Sequence, residues 1–333
     1  MKATQHSVLF GLAGAVLTGA LSSAVLAQSV TLPPSGDNQK ATVIQHIGPV
    51  EVRIDYSSPR VHLQGQDRTG KIWGELVPYG LHDLQFNDCK QCPWRAGANE
   101  NTKFSVSHDV QIEGKALPKG TYGLHMLAGK DEFTVIFSKN AASWGSYWYN
   151  PAEDALRVTV KPEKAEFREW LTYDFIDREP AKARVALVWE NLRVPFTVAV
   201  PDIEAVYLAQ LRDELRGNAG FDWQQLNNAA QWALGTGKNL EEATGWAQRA
   251  VSAPFVGNEN FQTLSTLASL ERATGKTADA DKTLEKAIAH PTANPIQIHG
   301  MGRQLLQAGK KAEALKIFQA NAKRFPNQWP VNV

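Results

Sequence analysis

Cysteine is almost absent from this chain: its 333 residues carry two, Cys89 and Cys92, and both sit in the string DCKQCPWRAGANE over residues 88–100. That excludes a framework of several disulfides, and no second CxxC is present to complete a four-ligand structural zinc site. An excess of one charge is missing too, since 35 Lys and Arg stand against 34 Asp and Glu, a formal net charge of +1. A nucleic-acid partner needs a basic face to neutralise phosphates, so none is expected. After the first 27 residues no apolar run is long enough to span a bilayer, and no transmembrane segment is expected in the processed chain. The P-loop, the GxSxG elbow, the dinucleotide-binding glycine fingerprint, HExxH and HxH are all lacking. Motifs therefore call for no cofactor and no metal.

What is present begins with a leader. Lys2 supplies a short positive region, VLFGLAGAVLTGALSSAVL is uncharged, and small residues at Val25 and Ala27 place cleavage before Gln28. Residues 1–27 are read as a signal peptide and residues 28–40, rich in Pro, Ser, Gly and Asn, as a flexible linker. No cysteine follows the cleavage site to carry a lipid. The expected localisation is exported, either periplasmic or secreted.

The remainder changes period once. From residue 41 to 200 it alternates in twos. VEVRIDY sets Val50, Val52, Ile54 and Tyr56 on one face and Glu51, Arg53 and Asp55 on the other. TKFSVSHD, EFTVIFSK, ALRVTV, WLTYDFID and ARVALVW repeat the pattern, separated by turn-forming runs such as IEGKALPKGTY and DREPAK. Eight to ten short strands in an antiparallel sandwich or open barrel are expected, with no parallel βαβ unit. From residue 201 to 333 the period is helical. Gly237, Gly275 and Gly309 each precede a lysine, at spacings of 38 and 34 residues, and the helices that follow close at Pro254, Pro291 and Pro326. Apolar stripes run through Leu240, Ala243, Ala247 and Ala250, then Leu284, Ala287 and Ile288, then Leu315, Phe318, Ala322 and Phe325. The spacing predicts about three stacked hairpins of the tetratricopeptide type, capped against the β domain by a helix from Asp202. The fold class is thus α+β multidomain, a β sandwich followed by a helical repeat.

Several strings carry a family resemblance: IDYSSP, KIWGELVPYG, WRAGANENT, LPKGTYGLHMLAGKDEFTVIFSK, SWGSYWYNPAEDALRV and VKPEK. Over roughly residues 40–200 they resemble the exported domain-of-unknown-function family 2911. The resemblance implies an all-β exported domain, often with a helical tail, and supplies no catalytic residue. The DCKQC string departs from the family pattern.

Four features could carry chemistry. The Cys89–Cys92 pair reads as a disulfide, a metal half-site or a redox centre; export favours the disulfide, and no helical pattern follows to activate a thiol. In WRAGANE, Gly97 permits a bend. Arg95, Asn99 and Glu100 are either a polar ligand site or a brace in which Arg95 pairs with Glu100. His125, in TYGLHML, faces away from Tyr122, Leu124 and Met126 and is either a partner of that site or a buried, hydrogen-bonded strand histidine. Trp144, Tyr147, Trp148 and Tyr149, with Trp73 and Tyr79, are either a sugar-stacking platform or plugs for the ends of the β core. The leading expectation is a non-catalytic binding module with a protein or peptide partner in the helical groove. The alternatives are a periplasmic enzyme with a polar or metal-assisted site around Arg95, Asn99 and Glu100, or a carbohydrate-binding β sandwich.

Overall fold

A computed structural model describes residues 35–63, 65–86 and 89–331. The expected leader, and the expected linker up to residue 34, lie outside the described residues. Twelve strands precede seven helices among the described residues. A six-stranded antiparallel sheet has the order β1 (Gln39–Ile47), β2 (Val50–Ser58), β5 (Thr102–Val106), β8 (Gly120–Leu127), β9 (Phe133–Ser138), β10 (Asp154–Val160). Facing it is a four-stranded sheet ordered β11 (Glu163–Glu179), β12 (Lys182–Ala199), β6 (Val110–Ile112), β7 (Lys115–Leu117). The short pair β3 (His62–Leu63) and β4 (Gln66–Asp67) stands apart, and such two-residue strands take the total above the eight to ten expected.

One core lies between the two sheets. The alternation in VEVRIDY is realised as read: Val50, Val52, Ile54 and Tyr56 are buried, while Glu51, Arg53 and Asp55 are half-buried. Phe104 of β5, Phe137 of β9 and Phe196 of β12 meet across the layers with ring centroids 5.1, 5.8 and 6.0 Å apart. Tyr56 and Tyr173 cross edge to face at 4.9 Å. WLTYDFID and ARVALVW are not short strands but parts of β11 and β12, which run 17 and 18 residues. Their register shifts between Lys164 and Arg168 and again before Thr172. Such bulges let long strands coil around the core, and they also break the strict alternation a sequence reader follows.

The helices are α1 (Ile203–Glu214), α2 (Trp223–Thr236), α3 (Leu240–Ser252), α4 (Phe261–Ala273), α5 (Thr277–Ala289), α6 (Pro295–Gln307) and α7 (Lys311–Arg324). They pair as α2 with α3, α4 with α5 and α6 with α7. Each pair turns at a glycine in the left-handed region, Gly237, Gly275 and Gly309, with φ of 69°, 83° and 76°. A side chain is disfavoured there, which is why the Gly-Lys spacing marks the repeat. Asn260 and Asn294 cap α4 and α6 in reciprocal capping boxes. Of the expected stripes, the last is corrected. Leu315 is 56% exposed and Ala322 is exposed, whereas Ala314, Ile317 and Asn321 are buried. Phe318 and Phe325 of that stripe do pack inward, Phe318 against Gly302 of α6, where a Cβ would come within 2.5 Å of the ring, while the buried arc otherwise runs through Ala314, Ile317 and Asn321.

Helix α1 belongs to both cores. Ile203 and Val206 pack on the β core, whereas Leu208, Leu211 and Leu215 pack among the helices. Its first turn also sits on the β1–β2 hairpin, where a Cβ on Gly48 (φ 55°) would come within 2.8 Å of the Ile203 Cδ1.

Candidate functional site

The segment 92–102 is fastened to the sheet end by its backbone. Cys92 and His82 exchange two backbone hydrogen bonds, at 2.9 and 3.2 Å, and Trp94 and Met126 exchange two more at 2.8 and 2.9 Å. The Ala98 N–H then donates to the Ser57 carbonyl at 3.0 Å. The bend does not fall on Gly97: positive φ occurs at Ala96 (50°) and Asn99 (56°). Gly97 is small for another reason, since a Cβ there would lie 2.6 Å from the Thr102 hydroxyl and 3.2 Å from the Ser57 carbonyl oxygen. The Ala96 carbonyl accepts from the hydroxyls of Tyr173 (2.8 Å) and Thr102 (3.1 Å), which compensates the strained conformation. Cys89 and Cys92 form a close pair ahead of this segment, with Cα atoms 5.7 Å apart.

The four residues singled out from the sequence do not converge. Arg95 donates from Nη1 to the Asn99 carbonyl oxygen at 2.5 Å and lies over the Tyr147 ring, 4.9 Å from its centroid. Gly145, at φ 59°, presses its backbone on the guanidinium so closely that a Cβ could not be accommodated. The Asn99 side chain accepts from Asn38 at 3.0 Å. Glu100 makes no brace with Arg95. Its carboxylate pairs with Lys40 at 2.7 Å and accepts from the Ser57 hydroxyl at 3.0 Å. The hydrogen bond from Lys40 leads the causes that hold its pKa below the usual range. Glu100 lines a separate charged hollow with Arg53, Asp55 and Lys103, whereas Arg95 lines a cleft with Trp94, His82 and Trp189. The left-handed turn at Asn99 sends consecutive polar residues to opposite sides of the loop.

His125 is buried, at 2% exposure, although it stands on the outer face of β8. The 140–150 loop covers it: Nδ1 meets the Ser146 hydroxyl at 2.9 Å, and Tyr149 packs edge-on at 5.3 Å. Burial, reinforced by the Arg95 charge, lowers its pKa to about 3. His82 is also lowered, by burial first and by Arg95 second. Both shifts favour the neutral ring, and a pKa near 3 makes His125 a weak base near pH 7.

The aromatic residues divide. Trp73 crosses Trp94, Phe133 and Trp189 at 78–88° and closes the end of the core. Trp144 and Trp148 are each 48% exposed, but Trp148 meets Tyr147 and Phe86 edge to face, at 84° and 89°. A sugar platform requires a flat exposed face, and these rings interlock instead.

A second concavity runs along α2, α4 and α6, one helix from each hairpin. Gln231, Gln262, Ser265, Thr266, Ser269, Gln297 and Gln304 line a groove of about 620 Å³ with no charged side chain among the described residues. It shares Leu234, Ser269 and Met301 with an adjoining cleft of about 470 Å³ floored by Leu284, Leu305 and Ile317. Arg272, paired with Asp281 (2.5 Å) and Glu313 (3.3 Å), stands at the edge of that cleft. The repeat spacing signals that such a surface exists; the amide and hydroxyl residues on it carried no motif.

Among the described residues, no group of three or more His, Cys, Asp or Glu is arranged to hold a metal ion, and no helix is long and apolar enough to cross a membrane. No curated protein and no solved structure matches the chain. A family model described as protein of unknown function (DUF2911) matches residues 38–198.

Proposed function

Since the chain belongs, through residues 38–198, to the DUF2911 family of proteins of unknown function, we propose that it is a non-catalytic binding module whose helical tail grips an extended peptide segment. The supporting observation is the continuity of the uncharged groove with a neighbouring cleft that has an apolar floor and a charged rim of Arg272, Asp281, Lys310, Glu313 and Lys316. Glutamine amides both donate and accept, so a row of them matches the alternating N–H and C=O groups of an extended main chain. The cleft floored by Leu284, Leu305 and Ile317 accepts one bulky apolar side chain. The seven helices and their glycine turns fit a tetratricopeptide-like stack, in which one helix of each pair faces the groove. The leader pattern supports a site of action outside the cytoplasm. The separation of Glu100 from Arg95 and His125 leaves the enzyme reading without a convergent acid–base group.

Panning a displayed peptide library against the full chain is expected to enrich uncharged peptides bearing Leu, Met or Phe. Gln262→Lys and Leu305→Gln are each expected to weaken a selected peptide by about tenfold or more, the equivalent of about 1.4 kcal/mol. Selected peptides that bind both variants as tightly as the parent would refute the groove as the site.

In the same reading, the Cys89–Cys92 pair is a disulfide that shapes the loop entering WRAGANE. A ring this small removes little chain entropy, so replacing both cysteines with serine is expected to cost less than about 2 kcal/mol. Amide exchange should instead quicken between residues 94 and 99. Stoichiometric zinc in the parent protein, lost in the double variant, would rule out the disulfide.

A further inference from the structure

The cleft over Trp94 has no part in the groove, and its charge is unusual for this chain. Its lining holds Arg68 and Arg95 and no Asp or Glu among the described residues. Elsewhere in the β domain Arg53, Arg60, Arg184 and Arg193 each find a carboxylate. Among the described residues, Arg68 donates to the Gln66 side-chain oxygen, at 3.1 and 3.2 Å, and to no carboxylate. Arg95 spends one N–H on the Asn99 carbonyl and is fixed by Tyr147 on one side and Gly145 on another. Holding a guanidinium still in advance lowers the entropy cost of meeting an anion. The Arg95 charge adds to burial in lowering the pKa of both His82 and His125.

Apart from Asn38, His82 and Ser146, the rest of the cleft is apolar. Leu76, Val77, Pro78, Leu84 and Pro93 surround the Trp94 ring, which is itself stacked on Trp189 at 6.3 Å and 15°. The volume of about 260 Å³ admits a small molecule only. Two residues of the lining keep buried ring nitrogens without a protein partner, Nδ1 of His82 and Nε1 of Trp189. Buried polar atoms are nearly always satisfied, so unpaired nitrogens on two lining residues leave this wall of the cleft with an unmet polar demand.

We propose that this cleft binds a small organic acid, its apolar body against Trp94 and its anionic group held by Arg95 and Arg68. A carboxylate and a phosphate monoester present the same charge-assisted acceptor to a guanidinium, and both satisfy the geometry.

The test is a tryptophan-fluorescence titration of the full chain with phenylacetate, octanoate and phenyl phosphate. Phenylacetamide serves as the neutral isostere of phenylacetate. At least one of the acids is expected to saturate, and phenylacetate or its phosphate analogue to bind about tenfold or more tightly than the amide. Preference between phenylacetate and phenyl phosphate identifies the anionic group. Arg68→Gln, which disturbs only the Gln66 contact, is expected to weaken binding by about fivefold or more, and Arg95→Gln by at least as much. Equal affinity for the amide, affinity unchanged in both arginine variants, or no saturation by any acid up to about 10 mM would overturn the proposal. Because the groove variants leave this cleft intact, its outcome is independent of peptide binding.

Discussion

Acidification from pH 6.5 toward pH 3 is expected to remove about 1.4 kcal/mol of stability per pH unit through His125 alone. The ring is 2% exposed, and in the folded chain it stays neutral down to about pH 3, whereas an unfolded histidine takes up a proton near 6.5. Between those limits the unfolded state binds one proton more than the folded state. Stability therefore rises with pH across the window, is complete above 6.5, and declines as the pH falls. The charged groups facing the ring deepen the effect in the same direction: Arg95 repels the imidazolium, while Ser146 and Tyr149 are neutral partners near neutral pH. Asp55, Glu100, Glu163 and Glu169 also have lowered pKa values, so their share is lost only at lower pH, below the ordinary carboxylate range. Denaturant unfolding at pH 7, 6 and 5 separates the two contributions. In His125→Gln the slope should fall by about 1.4 kcal/mol per pH unit, leaving the opposed shares of His82, lowered by burial, and His62, raised by Glu169, whatever constant cost the substitution carries. A variant with the parent's slope would show that His125 is not the group responsible.

Phe196→Ala is expected to cost about 3–5 kcal/mol, the range for removing a fully enclosed phenyl ring. Phe196 is 0% exposed and touches both Phe104 and Phe137, so truncation leaves a void bounded by two sheets that are hydrogen-bonded independently and cannot close on it. For a domain of this size the melting temperature should fall by roughly 10 °C. Leu315→Ala is the matched control, expected to change stability by less than about 0.5 kcal/mol because that side chain is 56% exposed. A small effect at Phe196 would mean that the sheets do not share one core.

The parts of the fold legible in the sequence were those carried by local period. VEVRIDY discloses its buried face because nothing interrupts it, and Gly237, Gly275 and Gly309 disclose the hairpins because a left-handed turn tolerates little else. β11 and β12 were misjudged in length because bulges near Arg168 displace the alternation. In α7 the apolar pattern is half legible: Phe318 meets Gly302 of the neighbouring helix, yet Leu315 is left exposed and Ala314, Ile317 and Asn321 are buried in its place. The site was less legible. Arg95 and Glu100 are close in sequence and were read together, but the turn at Asn99 parts them. Arg68, His82 and Trp189 reach the same cleft from three distant segments, and no spacing rule could have joined them.

Helix α1 gives the repeat a direction. A stack whose units touch only their neighbours frays from whichever end is least held. Here the first end is anchored, with Ile203 and Val206 embedded in the sandwich and Lys238 of the α2–α3 turn paired to Glu204 at 2.5 Å. At the other end α7 packs chiefly on α6 and leaves Leu315 bare to solvent. Thermal or mechanical unravelling should therefore run backward along the chain, the third hairpin first and the first hairpin last, like a zip sewn shut at one end. The cleft floored by Leu284, Leu305 and Ile317, which takes only Leu234 from α2 and the rest of its lining from α4 through α7, would come apart before the amide contacts contributed by α2.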